Sequence, residues 1–496
     1  MKQTVITLIL AICGFRAVAG VVNRVNDDDV SPRSLLETTW HSPVAMEQRR
    51  DSALSAVGGH YALRHEDEPI DARRGNREQT FSFLASTYLH HRASTLWGSA
   101  RYDNATVKGM RWNETSDIDV VSPYLLADSV PTGTMYGERY AFMGGYAGHS
   151  GRWHYGATLA YEAGQYYRRV DPRPRNVTAN LDLSVGGGVD LRQCRLSLAI
   201  GFNRYKQTND VTFYSEMGND KLFHLTGLVT DYGRFGGTGY STYYRGHRWQ
   251  VVATLTPQNI HGLWAAVRLS RMSVDNVITS LNKLPMANVT LNRADVECGW
   301  LQSRWGVVAG AHLSRRLGAE NVFGDAAAGV YPEIGSLSLY RENRAAVTLR
   351  GVYSHFIGRW RLTARAAAWY DHLNVIYLDP QCRQLVNRIS TAAELTAAFS
   401  TLRHTTAFNI GASIAAPTAD ELLLPTIKDE FAGLSRQLMA RHNVMSHSAT
   451  AVTVGLRHTH AIGSRFAIEG TVAYRHGFHY NDVASHSVNA SLRFLF

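Results

Sequence analysis

The clearest pattern along the chain is the alternation of apolar and polar positions in its last twelve residues, 485–496. One face of this segment consists of Val488, Ala490, Leu492, Phe494 and Phe496. The other face carries Ser487, Asn489, Ser491 and Arg493. A period of two over this length predicts a β-strand with one face in an apolar medium and the other face in a polar medium.

The same alternation recurs upstream, most clearly over residues 466–475, 452–457 and 153–162. In the segment 361–370, Arg361, Thr363 and Arg365 share a face opposite Leu362, Ala364 and Ala366. One such segment would also fit a half-buried strand of a soluble protein. Many of them, each about ten residues long, predict an all-β fold, a transmembrane antiparallel β-barrel.

Short breaks between the alternating segments give the barrel an orientation. They fall at 149–153, 302–305, 357–360 and 462–465, and three of the four place Trp directly after Arg. Bacterial barrels have short periplasmic turns, long outer loops and an even number of strands. We therefore assign these breaks to the periplasm and expect about sixteen strands, with fourteen and eighteen as the alternatives. The count is ambiguous between residues 205 and 290.

Two regions depart from the alternation. Residues 20–77 are predicted to be a plug or a periplasmic extension, with the barrel spanning 78–496. The segment 78–90 otherwise runs in the wrong direction, which favours a chain that threads into the barrel. Within 417–448 the period becomes helical, with Ile427, Phe431, Leu434 and Leu438 on one face. This insertion is predicted to lie outside the cell, as a lid or as a platform for a partner.

The N-terminus has the features of a secretory signal peptide. Lys2 precedes an apolar run, and Ala17-Val18-Ala19 forms a small-residue cleavage site that assigns residues 1–19 to the signal. A lipoprotein signal at Cys13 is disfavoured because Ile12 precedes the cysteine. The mean hydropathy of −0.20 leaves no other segment apolar enough to span a bilayer as a helix, and this excludes a helical membrane protein but not a barrel.

Charge and cysteine content narrow the function. The net charge of +10 is spread over alternating strand positions and forms no basic patch, which favours a polar barrel interior over nucleic-acid binding. The three cysteines after the signal, Cys194, Cys298 and Cys382, are too widely spaced for a metal knuckle or a disulfide framework. No Gly-x-Ser-x-Gly elbow is present, so no catalytic residues and no cofactor are predicted, and we expect a protein that is not an enzyme.

Four sets of residues are candidates for binding. The inward arginines are predicted to bias the lumen towards anions: Arg361, Arg365, Arg457, Arg475 and Arg493. Arg173 and Arg175 lie in a Pro-rich outer turn and either bind an anion or a lipopolysaccharide phosphate, or simply end a strand. His476 and His479 share an outer hairpin and are weak candidates for metal or haem. The acidic loop 114–119 with Asp128 offers carboxylates to Ca²⁺, but its spacing matches no calcium loop. We therefore expect a solvated outer loop and not a metal site.

Several short motifs, together with the signal peptide and the terminal Phe, resemble a known family. They are Arg111-Trp112-Asn113-Glu114, Asp117-Ile118-Asp119, Ser122-Pro123-Tyr124, Ala127-Asp128-Ser129 and Asp171-Pro172-Arg173-Pro174-Arg175-Asn176. The chain resembles an uncharacterised family of outer-membrane barrels from Bacteroidota over nearly its whole mature length. The C-terminal strand ending in Phe is similar to the sorting signal of such barrels. The resemblance implies a place beside a TonB-dependent transporter and surface lipoproteins in nutrient acquisition, and carries over no catalytic residue.

Two functions remain open. One is a porin-like channel or transport component for a small solute in the bacterial outer membrane. The other is a non-conducting structural or accessory subunit that presents its outer loops to a partner. Outer-membrane lipid and lipopolysaccharide surround the protein in both cases.

Overall fold

The alternation read from the sequence corresponds to 18 strands of one closed antiparallel barrel in a computed structural model of the chain. The structure describes residues 31–128, 133–215, 221–235, 241–463 and 465–496. The predicted signal peptide, residues 1–19, lies outside the described residues. The fold class is confirmed, and the strand number of eighteen is the upper alternative of the predicted range.

The barrel strands follow the chain order, and each pairs with its neighbours. They are β1 (Leu54–Glu66), β2 (Arg77–His91), β3 (Ser94–Lys108), β5 (Met135–Ser150), β6 (Trp153–Arg168), β7 (Arg173–Asp190), β8 (Cys194–Thr212), β11 (Ser241–Pro257), β12 (Gly262–Ile278), β13 (Leu284–Leu301), β14 (Trp305–Phe323), β15 (Glu333–Ile357), β16 (Trp360–Tyr377), β17 (Cys382–Ser400), β18 (His404–Leu423), β19 (Ala449–Ile462), β20 (Phe466–Phe478) and β21 (Ala484–Leu495). A separate sheet contains β4 (Leu125–Ala127), β9 (Phe223–Gly227) and β10 (Thr230–Asp231). The α-helices are α1 (Ile118–Val121) and α2 (Ala432–Met445).

The barrel closes where its first and last strands meet. Strand β1 pairs with β2 on one side and with β21 on the other. Gly58 faces Arg493 across this seam, and a Cβ atom at position 58 would overlap the carbonyl oxygen of Leu492. The barrel therefore begins at Leu54 and not at residue 78 as predicted. The extra strand makes the count even and reverses the direction of the chain before β2, which resolves the direction problem found in the sequence.

The outer surface of the barrel is apolar and the inner surface is polar. Along β8, Leu196, Leu198 and Ile200 are exposed on the outside, whereas Ser197 and Asn203 are buried inside. The same holds for the terminal strand, where Leu492 and Phe494 are exposed. This arrangement inverts that of a soluble protein and is the one that a membrane-spanning barrel requires. Among the described residues, no helix is both long enough and apolar enough to cross a bilayer.

The two ends of the barrel differ. At one end, here called the turn end, strands are joined by connections such as 151–152, 302–304 and 358–359, as predicted from the short breaks. At the other, the loop end, the connections include 109–134, 213–240 and 424–448. The ambiguity between residues 205 and 290 arises because the second of these connections folds into strands of its own. Strand β18 continues to Leu423, so the helical part of the predicted insertion starts later, at residue 429.

Inward-folded loops close the loop end. The loop cap consists of the described parts of 109–128, 221–235 and 429–445, which include α1, α2 and the three-stranded sheet. Its core contains Trp112, Phe223 and Phe431, with ring centroids of Phe223 and Phe431 4.9 Å apart. Leu434 and Leu438 of the predicted apolar helix face belong to the same cluster, which also packs on the barrel wall. The loop cap is therefore a small hydrophobic core and is not a set of solvated loops.

The apolar outer face leads to a stability prediction. Leu456 lies near the middle of β19 and is 51% exposed, so Leu456→Arg would put a charge into hydrocarbon. We expect the free energy of unfolding in lipid vesicles, measured by denaturant titration, to fall by about 2–4 kcal/mol. Leu402→Arg is the matched control, because Leu402 lies in a turn and is 100% exposed. Equal effects of the two substitutions would contradict a bilayer around β19.

Candidate functional site

The segment before the first strand lies inside the turn end of the barrel. Residues 31–53, here called the plug, form 3-10 turns at Pro32–Leu35, Thr38–His41 and Ala45–Gln48. These turns contact β3, β5 and the strands β11 to β15, which lie on different sides of the lumen. Trp40 packs edge-on against Trp264, with ring centroids 5.9 Å apart, and Leu35 and Leu36 join the same cluster. The plug is therefore bound to the barrel wall around the lumen.

A buried glutamate holds the middle of the plug. Glu297 on β13 is 1% exposed and its carboxylate accepts the backbone N–H groups of Glu37, Thr38 and Thr39 at 2.6, 3.3 and 3.1 Å. The hydroxyl of Thr39 donates to the same carboxylate at 2.8 Å. These N–H groups start a 3-10 turn and lack partners within it, so the carboxylate acts as an external cap. Removal of Glu297 would leave several buried donors unsatisfied.

A second ionic cluster, the Glu47 latch, holds the end of the plug. Glu47 Oε1 lies 2.7 Å from His149 Nδ1, and Glu47 Oε2 lies 3.0 Å from His154 Nδ1 and 2.7 Å from Arg195 Nη1. On the far side of His154, Nε2 lies 3.0 Å from Asp190 Oδ2. Burial alone would raise the pKa of Glu47, but the His149 hydrogen bond and the charges of Arg195, His154 and His149 lower it below its usual value. The latch therefore joins the plug to β5, β6 and β8 through a charged carboxylate.

The latch also has the composition of a metal site, which the sequence did not reveal. One ligand atom each of Glu47, His149 and His154 lie within 4.8 Å of one another. Two imidazoles and a carboxylate suit Zn²⁺, and the carboxylate behind His154 is a usual second partner of a metal-bound histidine. Arg195, however, already supplies a positive charge to both carboxylates. Glu47 lies 102 and 107 positions from its two histidines, so no local spacing signals the cluster.

Between the plug and the wall lies a polar cavity of about 540 Å³, here called the lumen cavity. Its wall is formed by inward positions of strands β16 to β20, among them Arg365, Glu394, Asn409 and Arg457. The plug contributes Arg33, Arg49 and Arg50. Five arginines and one glutamate therefore line the cavity, and its electrostatic field favours anions.

The five arginines predicted to face the lumen all occupy inward positions of their strands but do not form one site. Arg365 and Arg457 line the lumen cavity, and Arg365 also donates to Ser34 of the plug at 3.4 Å. Arg493 pairs with the buried Glu469, and Arg475 donates to Ser413 at 3.4 Å. Arg361 is buried near the turn end over the ring of Phe356.

The other predicted candidates lie apart from the lumen. Arg173 binds Asp171 at 2.7 Å and stacks on Tyr214, and Arg175 is exposed on the outward face of β7. His476 and His479 contact different partners. His476 Nδ1 lies 3.1 Å from His486 Nδ1, whereas His479 Nε2 lies 2.9 Å from the hydroxyl of Ser485.

The acidic loop does not behave as a solvated loop. Glu114 and Asp128 are both fully buried in the loop cap, and Glu114 Oε2 accepts a hydrogen bond from Arg168 at 2.6 Å. Asn176 and Asn209 donate to the backbone carbonyl of Glu114, each at 3.0 Å, and fix the loop to the wall. Burial and the charge of Asp128 raise the pKa of Glu114, and Arg168 lowers it. The net result is a pKa of about 8. Arg168 also lies 3.8 Å from Asp128, so two buried carboxylates lie beside this guanidinium, and burial favours the protonated form of Glu114.

Comparison with known proteins gives the family. A model described as "Family of unknown function (DUF6850)" matches residues 43–496. The chain belongs to the DUF6850 family. No curated protein matches its sequence.

Solved structures with some likeness to this DUF6850 member are outer-membrane proteins of low identity. The ferric preacinetobactin receptor BauA of Acinetobacter baumannii has 8% identity and a TM-score of 0.43, over 89% of this chain and 80% of BauA. The outer membrane transporter YddB of Escherichia coli has 7% identity and a TM-score of 0.39, over 90% and 80%. A bacterial polysaccharide outer membrane secretin has 10% identity and a TM-score of 0.38, over 90% and 99%. All three TM-scores are below 0.5, so the likeness says nothing of what this chain binds or moves.

The Glu47 latch predicts how the plug responds to substitution and to pH. Glu47→Gln removes the charge that His154 and Arg195 bind, and we expect opening of residues 45–48 to become easier by about 1–3 kcal/mol. Hydrogen exchange of the purified protein measures this opening. Because the pKa of Glu47 is lowered from its ordinary value of 4.5, the contribution of its ionisation is present above that value and is lost as pH falls through the lowered pKa.

The control for this prediction is Asp51→Asn, which changes a plug carboxylate whose side chain is 64% exposed and pairs with Arg33. Exposed ion pairs contribute about 0–1 kcal/mol, so this variant should exchange almost like the wild type. Wild-type exchange rates in Glu47→Gln would show that the latch does not hold the plug.

The loop cap has the opposite pH dependence. A carboxyl group whose pKa is raised stabilises the fold while it is protonated, and this stability is lost as pH rises from about 4.5 to about 8. Proteolysis within 109–128 should therefore accelerate in the wild type between pH 6 and pH 9, and it should change less in Glu114→Gln. Asp119→Asn, in the same loop but exposed, should behave like the wild type. A wild-type rate that does not change with pH would refute the raised pKa of Glu114.

Proposed function

We propose that the protein is a gated barrel of the outer membrane of a Gram-negative-type bacterium, which admits a small polar solute with a preference for anions. The plug is the gate at the periplasmic end. The lumen cavity carries this proposal, because five arginines and one glutamate line a space of about 540 Å³ beside the plug. No chemistry on the solute is part of the proposal.

The size of the barrel supports a transport role. Barrels of 16–18 strands are wide enough to leave an aqueous channel unless something fills them. Here the filling comes from the plug and the loop cap, both made of the chain's own segments. A barrel built only as a support would not require a wall of this circumference around a polar interior.

The contacts of the plug support reversible opening. Glu297 and Glu47 bind it through hydrogen bonds and ion pairs, which water can replace when the segment leaves the wall. Its apolar contacts include the clusters around Trp40, Leu36 and Met46, each of which is smaller than the core of the loop cap. The plug is therefore held firmly but not through an extended hydrophobic core.

The loop cap favours the second candidate function, a non-conducting accessory subunit. Trp112, Phe223 and Phe431 form a core that would be costly to expose, so the loop end is less readily opened than the turn end. In this alternative the cap is a platform for a TonB-dependent transporter or a surface lipoprotein. Affinity purification of the tagged chain from its native membrane, with lipopolysaccharide retained, identifies such a partner.

Conductance in planar bilayers separates the two functions. Deletion of residues 31–50 removes the plug but leaves β1 and the barrel seam intact. We expect rare or no openings in the wild type and more frequent openings in the deletion variant, because only the loop cap then closes the lumen. Heat-dependent migration on gels confirms that both proteins are folded barrels. If the deletion variant carries no current, the channel hypothesis fails and the accessory role is favoured.

The selectivity of that current tests the anion preference. In the deletion variant, Arg365→Glu combined with Arg457→Glu changes the charge of the cavity wall by four units, and reversal potentials should shift from anion towards cation preference. Arg359→Glu is the control, because Arg359 lies in an exposed turn at the same end. Identical shifts for both variants would show that the lumen cavity does not set selectivity.

A further inference from the structure

A second cluster of arginines lies at the loop end, away from the lumen cavity. Its members are Arg73, Arg74, Arg316, Arg344 and Arg441, here called the arginine pocket. They come from four separate parts of the chain, namely the β1–β2 connection, β14, β15 and α2. The pocket has a volume of about 130 Å³ and lies where the loop cap meets the barrel wall.

The charges that line the pocket do not balance. Its carboxylates are Asp71, Asp119 and Glu342, so five arginines face three acids and two positive charges are in excess. The three acids are already engaged. Asp71 binds Arg73 at 2.9 Å, Asp119 binds Arg74 at 2.5 Å, and Glu342 binds Arg344 at 2.7 Å.

The two remaining arginines have weaker partners. Arg316 is 8% exposed and donates to the backbone carbonyls of Ser122 and Asp119, at 3.1 and 2.5 Å, and its Nε has no hydrogen-bond partner among the described residues. Arg441 lies 3.5 Å from Asp71, which Arg73 already holds through two nitrogens. Burial and the charges of Arg73, Arg344 and Arg74 together lower the pKa of Arg441 to about 10, although Asp71 raises it. A bound anion would relieve this repulsion.

We propose that the arginine pocket binds the oxyanion group of a small solute, a phosphate or a carboxylate. Guanidinium groups form paired hydrogen bonds with both, and several of them around one cavity make a strong oxyanion site. The pocket is large enough for one such group. Its aliphatic wall, which includes Leu225, Leu373 and Leu434, suits an uncharged body attached to the anion.

The ligand reaches the pocket from solvent and not from the bilayer. Arg316 and Arg344 share the face of β14 and β15 that carries the buried Glu342, and this face points inward. Arg74, Arg344 and Asp119 have side chains that are between 45% and 76% exposed and mark the opening. A lipid headgroup outside the barrel has no route to these residues. The proposal extends the anion preference proposed for the lumen, but the binding itself requires no transport.

Equilibrium dialysis of the full-length protein in detergent tests the site, with radiolabelled inorganic phosphate as one probe and acetate as the other. We expect saturable binding of at least one of them. Arg441→Gln and Arg316→Gln should each weaken it by about tenfold or more, the usual effect of losing a charged hydrogen bond. Arg436→Gln, on the exposed side of the same helix, should bind like the wild type.

Each result decides a point. Phosphate binding that depends on Arg441 assigns a phosphate ligand, and acetate binding alone assigns a carboxylate. If the wild type binds neither, or if Arg441→Gln binds as well as Arg436→Gln, the site does not exist. Thermal stabilisation by the probe in the wild type and in Arg436→Gln, but not in Arg316→Gln, separates lost binding from a displaced helix. Because the assay measures no current, failure of the proposed channel leaves its result unchanged.

Discussion

The structure depends on the pairing of its first strand with its last. Within a bilayer, an unpaired strand edge would leave backbone N–H and C=O groups without partners, and each would cost several kcal/mol. Strand β1 removes both edges at once, because it pairs with β2 and with β21. Gly58 permits the close approach at this seam. The plug lies directly before β1 in the chain, so closing the barrel also delivers the plug to the turn end of the lumen.

Closure creates an interior in which polar groups must find partners. The inward side chains of the strands include buried acids such as Glu297, Glu469 and Asp295. Each needs a donor or a cation, and the plug and the inward arginines provide them: Glu297 caps a turn of the plug, and Glu469 pairs with Arg493. The high arginine content is thus partly structural. Arginines in excess of the acids, as in the lumen cavity and the arginine pocket, are the ones that favour anionic ligands.

The sequence predicted the barrel where the contrast between faces is strong. Strands β19 to β21 alternate clearly, and their turns were found with small errors. Strand β1 was missed because Gly58 and Gly59 interrupt its alternation and Ala56 and Ala62 lie on its inward face, so the contrast between its two faces is weaker than in β21. The period of two predicted correctly that the arginines occupy inward positions. It did not predict which residues they contact. The Glu47 latch and the arginine pocket join residues distant in the chain, and pairing of that kind leaves no local signal.

The two closed ends of the barrel are built from different interactions, and this difference assigns them different roles. The loop cap buries aromatic side chains, and exposing them to water is unfavourable at any pH. The plug is held through Glu297 and Glu47, whose partners can be exchanged for water, and through apolar clusters smaller than the core of the cap. In the proposed channel a solute has to pass both ends, and the end that is held by polar contacts costs less to open. The arginine pocket lies beside the cap and the lumen cavity lies beside the plug. If the two proposals hold, this order of sites fits capture of an anion at the loop end followed by its release at the turn end.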